Sequence, residues 1–378
     1  MMGEAARKGQ PQDLHQDLHI EGDMEFGILF TSHPNAEREP FPHREVHARV
    51  TREVLRADEL GFDYAWLAEH HFSNEYGIMP DVFVYAGYLA ALTKRIKIGT
   101  AVVTLPLANP VRVAENAAFL DILSGGRFVL GLGSGYRQYE FDGFGIDFEG
   151  RRDIQEEAIP LLLDLFKKKQ ADHRGKHFRV KIDGAYQMFP HALQEPHPPI
   201  FMAGATERSV GVAGRMGFGL LLSSWTPFDG LARQIAHYRR ELEHTPAELR
   251  RNAARGHADV TRYVYVADTD AKARTESEAV ILRHLAHFSS GHTSGYLGTV
   301  SAGRNDYEGL SKDVILHGSP ATVIGKIEQL RAFGVNSLML HYPPWYGAEK
   351  AIASLEMFAR EVMPAFKREP ARAHAAGL

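Results

Sequence analysis

The sequence predicts an α/β chain folded as a single (β/α)8 barrel, and three observations predict it. One unit recurs along the chain: a short apolar strand, a polar or glycine-rich loop, then an amphipathic helix. Eight strand candidates occur, the number that closes a parallel barrel. The first strand leads into FGILFTSHPN, which lacks the glycine-rich turn of a doubly wound dinucleotide-binding sheet.

The strand candidates are Phe26–Phe30, Phe62–Leu67, Ile96–Val103, Phe128–Gly131, Ile200–Ala203, Leu220–Ser224, Thr261–Ala267 and Ser337–His341. Several follow a glycine that suits a helix C-cap, as in ELGFD, SGGRF, RMGFG and FGVNS. Between the strands, Val46, Val50, Val54, Ala57 and Leu60 line one helical face. Ala158 to Phe166 is strongly apolar, and Val323, Ile327 and Leu330 form a stripe ahead of Gly334.

Two segments exceed plain connections. Residues 132–199 hold a helix and then a basic stretch ending in HFRVKIDGAYQMFPHAL, which reads as an extended excursion inserted after strand four. Residues 289–313 are rich in Gly and Ser and follow strand seven, where a lid over the active face is expected. Residues 1–23 read as a disordered polar tail, and residues 24–378 as one barrel domain.

Composition narrows the function. A net charge of -4 with mixed signs argues against nucleic-acid and membrane-surface binding. The chain has no cysteine, which excludes disulfides, thiolate metal sites and thiol catalysis. No apolar run is long enough for a membrane span, and the N-terminus lacks a signal-peptide core, so a cytoplasmic enzyme is expected.

The stretch that organises the chain is GFDYAWLAEHHFSNEYG, residues 61–77. Its apolar part ends where Glu69, His70 and His71 begin, and the carboxyl ends of barrel strands are where ligands bind. An imidazole there suits proton transfer near neutral pH, with a buried structural histidine as the plain alternative. A metal site is not expected, because adjacent histidines on an extended backbone diverge and no HxH or HExxH spacing supplies further ligands.

Three further groups stand at strand ends. Gly131, Gly133 and Gly135 alternate after strand four, and Gly133 and Ser134 become candidates to approach a flat ring or phosphate. After strand five, Gly204, Ala205, Thr206 and Ser209 offer backbone N–H groups and hydroxyls to an anion, with Arg208 as added charge; an ordinary Thr206 N-cap is the alternative. Ser224 and Trp225 close strand six, His341 closes strand eight and Thr31 closes strand one. Ser224 is a candidate cofactor contact; Thr31, Trp225 and His341 are candidate pocket walls.

Taken together, FGILF, GFDYAWLAEHHF, KIGTAVVTLPLANPVRVAENAAFLDILSGGRFVLGLGSG, GFGLLLSSW, LHGSPATVIGKIEQLRAFGV and SLEMFAREVMPAF resemble the bacterial luciferase-like flavin monooxygenases, most closely the luciferase α-subunit branch. The resemblance implies a TIM barrel that uses reduced FMN, delivered by a separate flavin reductase, to activate O2 through a C4a-peroxyflavin. It implies that His70 is the catalytic histidine, that Ala101–Val102 is a non-prolyl cis peptide beside the flavin, that Gly204–Ser209 is the phosphate loop, and that the enzyme is a homodimer. Light-emitting members carry a cysteine and an arginine where this chain has Gly133 and Ser134, so the expected reaction is non-luminescent oxidation of a small apolar substrate such as an aldehyde or ketone. Two alternatives stay open: an F420-dependent hydride-transfer oxidoreductase, and a non-catalytic chain like the luciferase β subunit.

Overall fold

The computed structural model describes residues 22–74, 76–289 and 304–367. Eight parallel strands close into a barrel in the order β1 (Glu25–Phe30), β2 (Tyr64–Leu67), β3 (Lys97–Thr100), β5 (Phe128–Gly133), β8 (Ile200–Gly204), β9 (Gly219–Leu222), β10 (Ala258–Val266) and β12 (Ser337–His341). The β12 strand pairs with both β10 and β1, which completes the ring. All eight expected strands are present.

Boundaries differ where local geometry intervenes. The third strand is interrupted at a cis peptide between Ala101 and Val102 and resumes as β4 (Val103–Thr104). The seventh starts earlier than expected, at Ala258. A three-residue strand, β11 (Leu316–Gly318), pairs with its far end and carries too little apolar sequence to announce itself.

Helix α1 (Pro42–Leu60) shows how sequence sets the elements. Proline occupies its first turn, and Gly61 at φ 87° closes it, its N–H donating to the carbonyls of Ala57 and Asp58. The Asp58 carboxylate then accepts the N–H groups of Lys94, Arg95 and Ile96, tying α1 to the approach of β3. Val46, Val50, Val54 and Ala57 are buried as the spacing predicts.

Two cores result. Aliphatic side chains pack between barrel and helices. Inside the barrel, Tyr64, Trp66, Val129, Phe201 and Met339 form a separate layer. Trp66 fits only because its strand neighbours carry glycine: a Cβ on Gly27 or Gly99 would come within 2.9 or 2.3 Å of the indole. In the same layer Asp259 is fully buried and accepts a 2.8 Å hydrogen bond from Ser337 Oγ.

The excursion after strand four is real. It comprises α4 (Gln138–Phe144), α5 (Arg151–Lys168) and an antiparallel hairpin, β6 (Ala171–Arg174) with β7 (Arg179–Ile182). Glu157 of α5 holds the hairpin by accepting the N–H groups of His177 and Phe178. Of the expected lid, residues 290–303 lie outside the described residues. Its later part is a helix, Tyr307–Asp313, whose Tyr307 and Leu310 pack beside Ile281 and Leu285 of α8 (Asp270–Ser289). Of the expected tail, residues 1–21 also lie outside the described residues, while the Met24 N–H donates to the Phe366 carbonyl. Among the described residues no helix is long and apolar enough to cross a membrane.

Candidate active site

A cavity of about 590 Å³ opens at the carboxyl ends of the strands, within the range of small-molecule and cofactor pockets. Strand β2 delivers the first group to its wall. The chain leaving Leu67 is pinned by Ala68 N–H to Phe30 and His70 N–H to Met79, which leaves His70 8% exposed in the wall.

His70 Nδ1 lies 3.1 Å from Glu140 Oε1, which also accepts the His71 N–H at 3.0 Å. Burial pushes the His70 pKa down against the opposing pull of Glu140. Burial opposes ionisation of Glu140, but His70, the His71 N–H and Arg137 hold it below its ordinary value. The pair is therefore a neutral imidazole on a carboxylate. An acceptor-only carboxylate takes its hydrogen from Nδ1, which leaves Nε2 as a base. His71 diverges, as adjacent strand-end histidines should, and pairs with Glu69 at 3.3 Å.

A further part of the wall is rich in donors. Gly133 and Ser134 leave β5; Gly204 and Ala205 leave β8; Thr206 and Ser209 begin α6 (Glu207–Arg215); all six line the cavity. Thr206 and Ser209 form a reciprocal capping box: Ser209 Oγ accepts the N–H groups of Ala205 and Thr206 at 3.1 and 3.0 Å. The structure thus shows the capping arrangement at this loop, made by the same hydroxyls and N–H groups that the anion-binding expectation names.

Arg208 does not join them. It is exposed and donates to Glu156 at 2.7 Å, so its charge is engaged on the outer face. Arg151 and Arg152, in the first turn of α5, line the cavity instead. Arg151 stacks on Phe148 with its guanidinium carbon 3.7 Å from the ring centroid; Nη1 donates to the Phe148 carbonyl and Nε has no hydrogen-bond partner. Sequence alone carried one signal for them, because two cations in a helix's first turn oppose the dipole and call for an anion.

Ala101, Val102, Ser224 and His341 all reach the wall. Burial pulls the His341 pKa down to about 3, so this imidazole is neutral at physiological pH. Two expected wall residues do not line the cavity. Trp225 is 0% exposed and packs on Tyr263 at 4.6 Å, because the chain turns outward after β9 and tucks the indole against β10. Thr31 is buried against Gly77, where its carbonyl would lie 2.2 Å from a Cβ on that glycine. Glu140, Tyr76 and Tyr136 were not expected at the cavity, and no local pattern distinguishes them from ordinary helix and loop residues. Among the described residues no cluster of ligands fit for a metal occurs.

Comparison with known proteins gives a consistent result. A family model described as luciferase-like monooxygenase matches residues 24–337. The alkanal monooxygenase alpha chain of Photorhabdus laumondii is 31% identical over 53% of this chain and 54% of its own length. The oxygenase component of the flavin-dependent trigonelline monooxygenase of Acinetobacter baylyi is 27% identical over 82% of this chain and 87% of its own. An uncharacterized protein of Sinorhizobium fredii is covered over 48% of its length, so the chain spans about half the length of several curated relatives. Among solved structures, monooxygenase RslO1 of Streptomyces bottropensis superposes with TM-score 0.72 at 25% identity, covering 91% of this chain and all of that one. The oxygenating constituent of 3,6-diketocamphane monooxygenase, solved in complex with FMN, gives TM-score 0.76 at 24% identity over 92% of this chain and all of that one, a likeness of fold.

Proposed function

The chain belongs to the luciferase-like monooxygenase family, and from that premise we propose that it is the oxygenase of a two-component system. It takes reduced FMN from a separate flavin reductase and uses O2 to oxidise a small organic substrate with an apolar reacting part, in the simplest case an aldehyde or ketone, without light emission. The observation that carries this reading is one cavity whose wall holds both a set of anion donors and a neutral His70–Glu140 pair.

The residues fit such a cofactor. Thr206, Ser209, the N–H groups at the start of α6 and Arg151, whose Nε is unused, would hold the phosphate. Ala101, Val102 and Ser224 would flank the ring. Reduced FMN, when bound, supplies the electrons that activate O2. The protein's part is to exclude water and place the substrate, while His70 Nε2 accepts or returns a proton beside the reacting atoms.

Replacing Arg151 with alanine is expected to weaken FMN binding about 10- to 100-fold, the usual range for losing a charge-assisted bond. Riboflavin, which has no phosphate, should be unaffected. Anaerobic titration of both flavins decides it, and an equal loss for both would remove Arg151 from the phosphate site.

We extend the proposal to a homodimer. Helices α2 (Val82–Leu92) and α3 (Pro110–Leu123) pack side by side and expose Val84, Tyr88, Leu92, Phe119, Ile122 and Leu123. Exposed apolar side chains on two neighbouring helices favour burial against a second copy. Leu123→Asp should convert a dimer to monomer by light scattering; a wild type already monomeric at micromolar concentration would exclude the dimer.

A further inference from the structure

In the ring of strands β12 stands four places from β5 in either direction, so it faces β5, the strand that Gly133 and Ser134 leave, across the barrel. Its last residue, His341, pairs in the ladder with Leu29 of β1 and Tyr263 of β10. His341, Leu29 and Met339 all line the cavity. Thr261 of β10 lines it too, but its hydroxyl is engaged, donating to Met339 Sδ at 3.4 Å.

The His341 ring is held from two sides, stacked on Tyr263 at 4.8 Å and 28° and edge-on to His284 at 5.8 Å. Other buried histidines spend a ring nitrogen within the protein: His70 on Glu140, His197 on the Pro198 carbonyl, His284 on Tyr263 and His317 on Ser277. Among the described residues neither nitrogen of His341 makes a hydrogen bond, although the residue is only 2% exposed. Packing does not require an imidazole there, since a phenylalanine ring would stack on Tyr263 as well. A neutral imidazole keeps one N–H donor and one acceptor nitrogen, and burying both unpaired is costly. A ligand that supplies the partner recovers that cost, and one that cannot is rejected. Burial keeps this ring uncharged, so it offers a hydrogen bond and not a charge.

We propose that His341 is a specificity-determining residue whose N–H donates to the carbonyl oxygen of the substrate, while the substrate's apolar body rests on Leu29 and Met339. Ring order leaves His341 to the substrate, because the loops named for the cofactor phosphate leave β5 and β8 on the far side. That the bound carbonyl compound is then oxidised rests on the oxygenase reading above, whereas the carbonyl contact does not.

Binding without turnover tests it. Acetophenone and its hydrocarbon isostere α-methylstyrene, with CH2 in place of the carbonyl oxygen, are titrated against wild type and His341→Phe, with and without saturating oxidised FMN. Isotope-edited infrared spectra of the bound ketone are recorded alongside. In wild type the carbonyl stretch should fall below its position in hexane, as for a hydrogen-bonded ketone. In His341→Phe that displacement should vanish and acetophenone should bind about tenfold more weakly, worth roughly 1.4 kcal/mol. The affinity for α-methylstyrene and for FMN should not fall, and the melting temperature should equal or exceed that of wild type. A hexane-like carbonyl in wild type, or no binding of acetophenone, overturns the proposal even if the variant does not fold. An equal loss for both probes overturns it as well, and a loss of FMN affinity would place the imidazole on the cofactor instead. A hydrogen-bonded ketone in a protein that binds no FMN would count against the oxygenase reading alone.

Discussion

With His70 replaced by alanine, substrate oxygenation should fall by about 10²- to 10⁴-fold, the usual contribution of a positioned acid–base group. Flavin reoxidation should continue and release hydrogen peroxide in place of product. The expectation follows from the placement of His70: it is buried in the cavity wall, its pKa is lowered by burial, and its Nδ1 is committed to Glu140, so Nε2 is the ring nitrogen left for proton transfer. Glu140→Gln should act through the same atom and move a quantity that packing would not. The hydrogen bond that His70 donates to Glu140 raises the His70 pKa against desolvation, so its loss lowers that pKa further. The acid limb of the product-forming rate should therefore shift to lower pH in Glu140→Gln. An unshifted acid limb, or coupling retained in His70→Ala, assigns the proton to another group.

Asp259→Asn should stabilise the protein at alkaline pH and change little in acid. Burial, with the charge of Glu25 adding to it, raises the Asp259 pKa to about 7 from an ordinary 3.8. The folded state thus keeps a proton up to about pH 7 that the unfolded chain releases near pH 4. Between those values the unfolded state binds fewer protons, so stability falls as pH rises, and above pH 7 the loss is complete. That rise in pKa corresponds to a loss on the order of 4 kcal/mol. Asparagine keeps the shape and can bond to Ser337 Oγ, but has no proton to lose. Denaturant titrations at pH 5 and pH 8.5 should show the variant's advantage only at the higher pH. A gain independent of pH would locate the effect in packing.

The barrel was legible because its determinants are local. Apolar runs mark strands, glycines mark helix ends, and EHH after an apolar run marks a strand exit whatever the rest of the chain does. The glycine loop at residues 133–135 and the small-residue loop at residues 204–209 reach the cavity for the same reason. What sequence could not supply was partnership across the chain. Glu140 meets His70 across 70 residues, which depends on where the inserted α4 lies. Arg208 and Arg151 both sit in the first turns of helices. The 52-residue contact between Arg208 and Glu156 turns the former outward, and only the packed structure reveals it. His341 lies within the ladder of β12, whereas Trp225 and Thr31 lie beyond their strands' last ladder pairs, where a side chain's direction depends on how the chain turns, which periodicity does not encode.

The proposal that this cavity holds reduced FMN and governs its reaction with O2 meets its sharpest test in stopped-flow mixing of the protein and anaerobically reduced FMN with oxygenated buffer, following flavin reoxidation by absorbance. Reoxidation kinetics should be distinct from those of free flavin, saturate with protein concentration, and change in His70→Ala. Reoxidation at the rate of free flavin at every protein concentration would contradict it, and would turn attention to hydride transfer with F420.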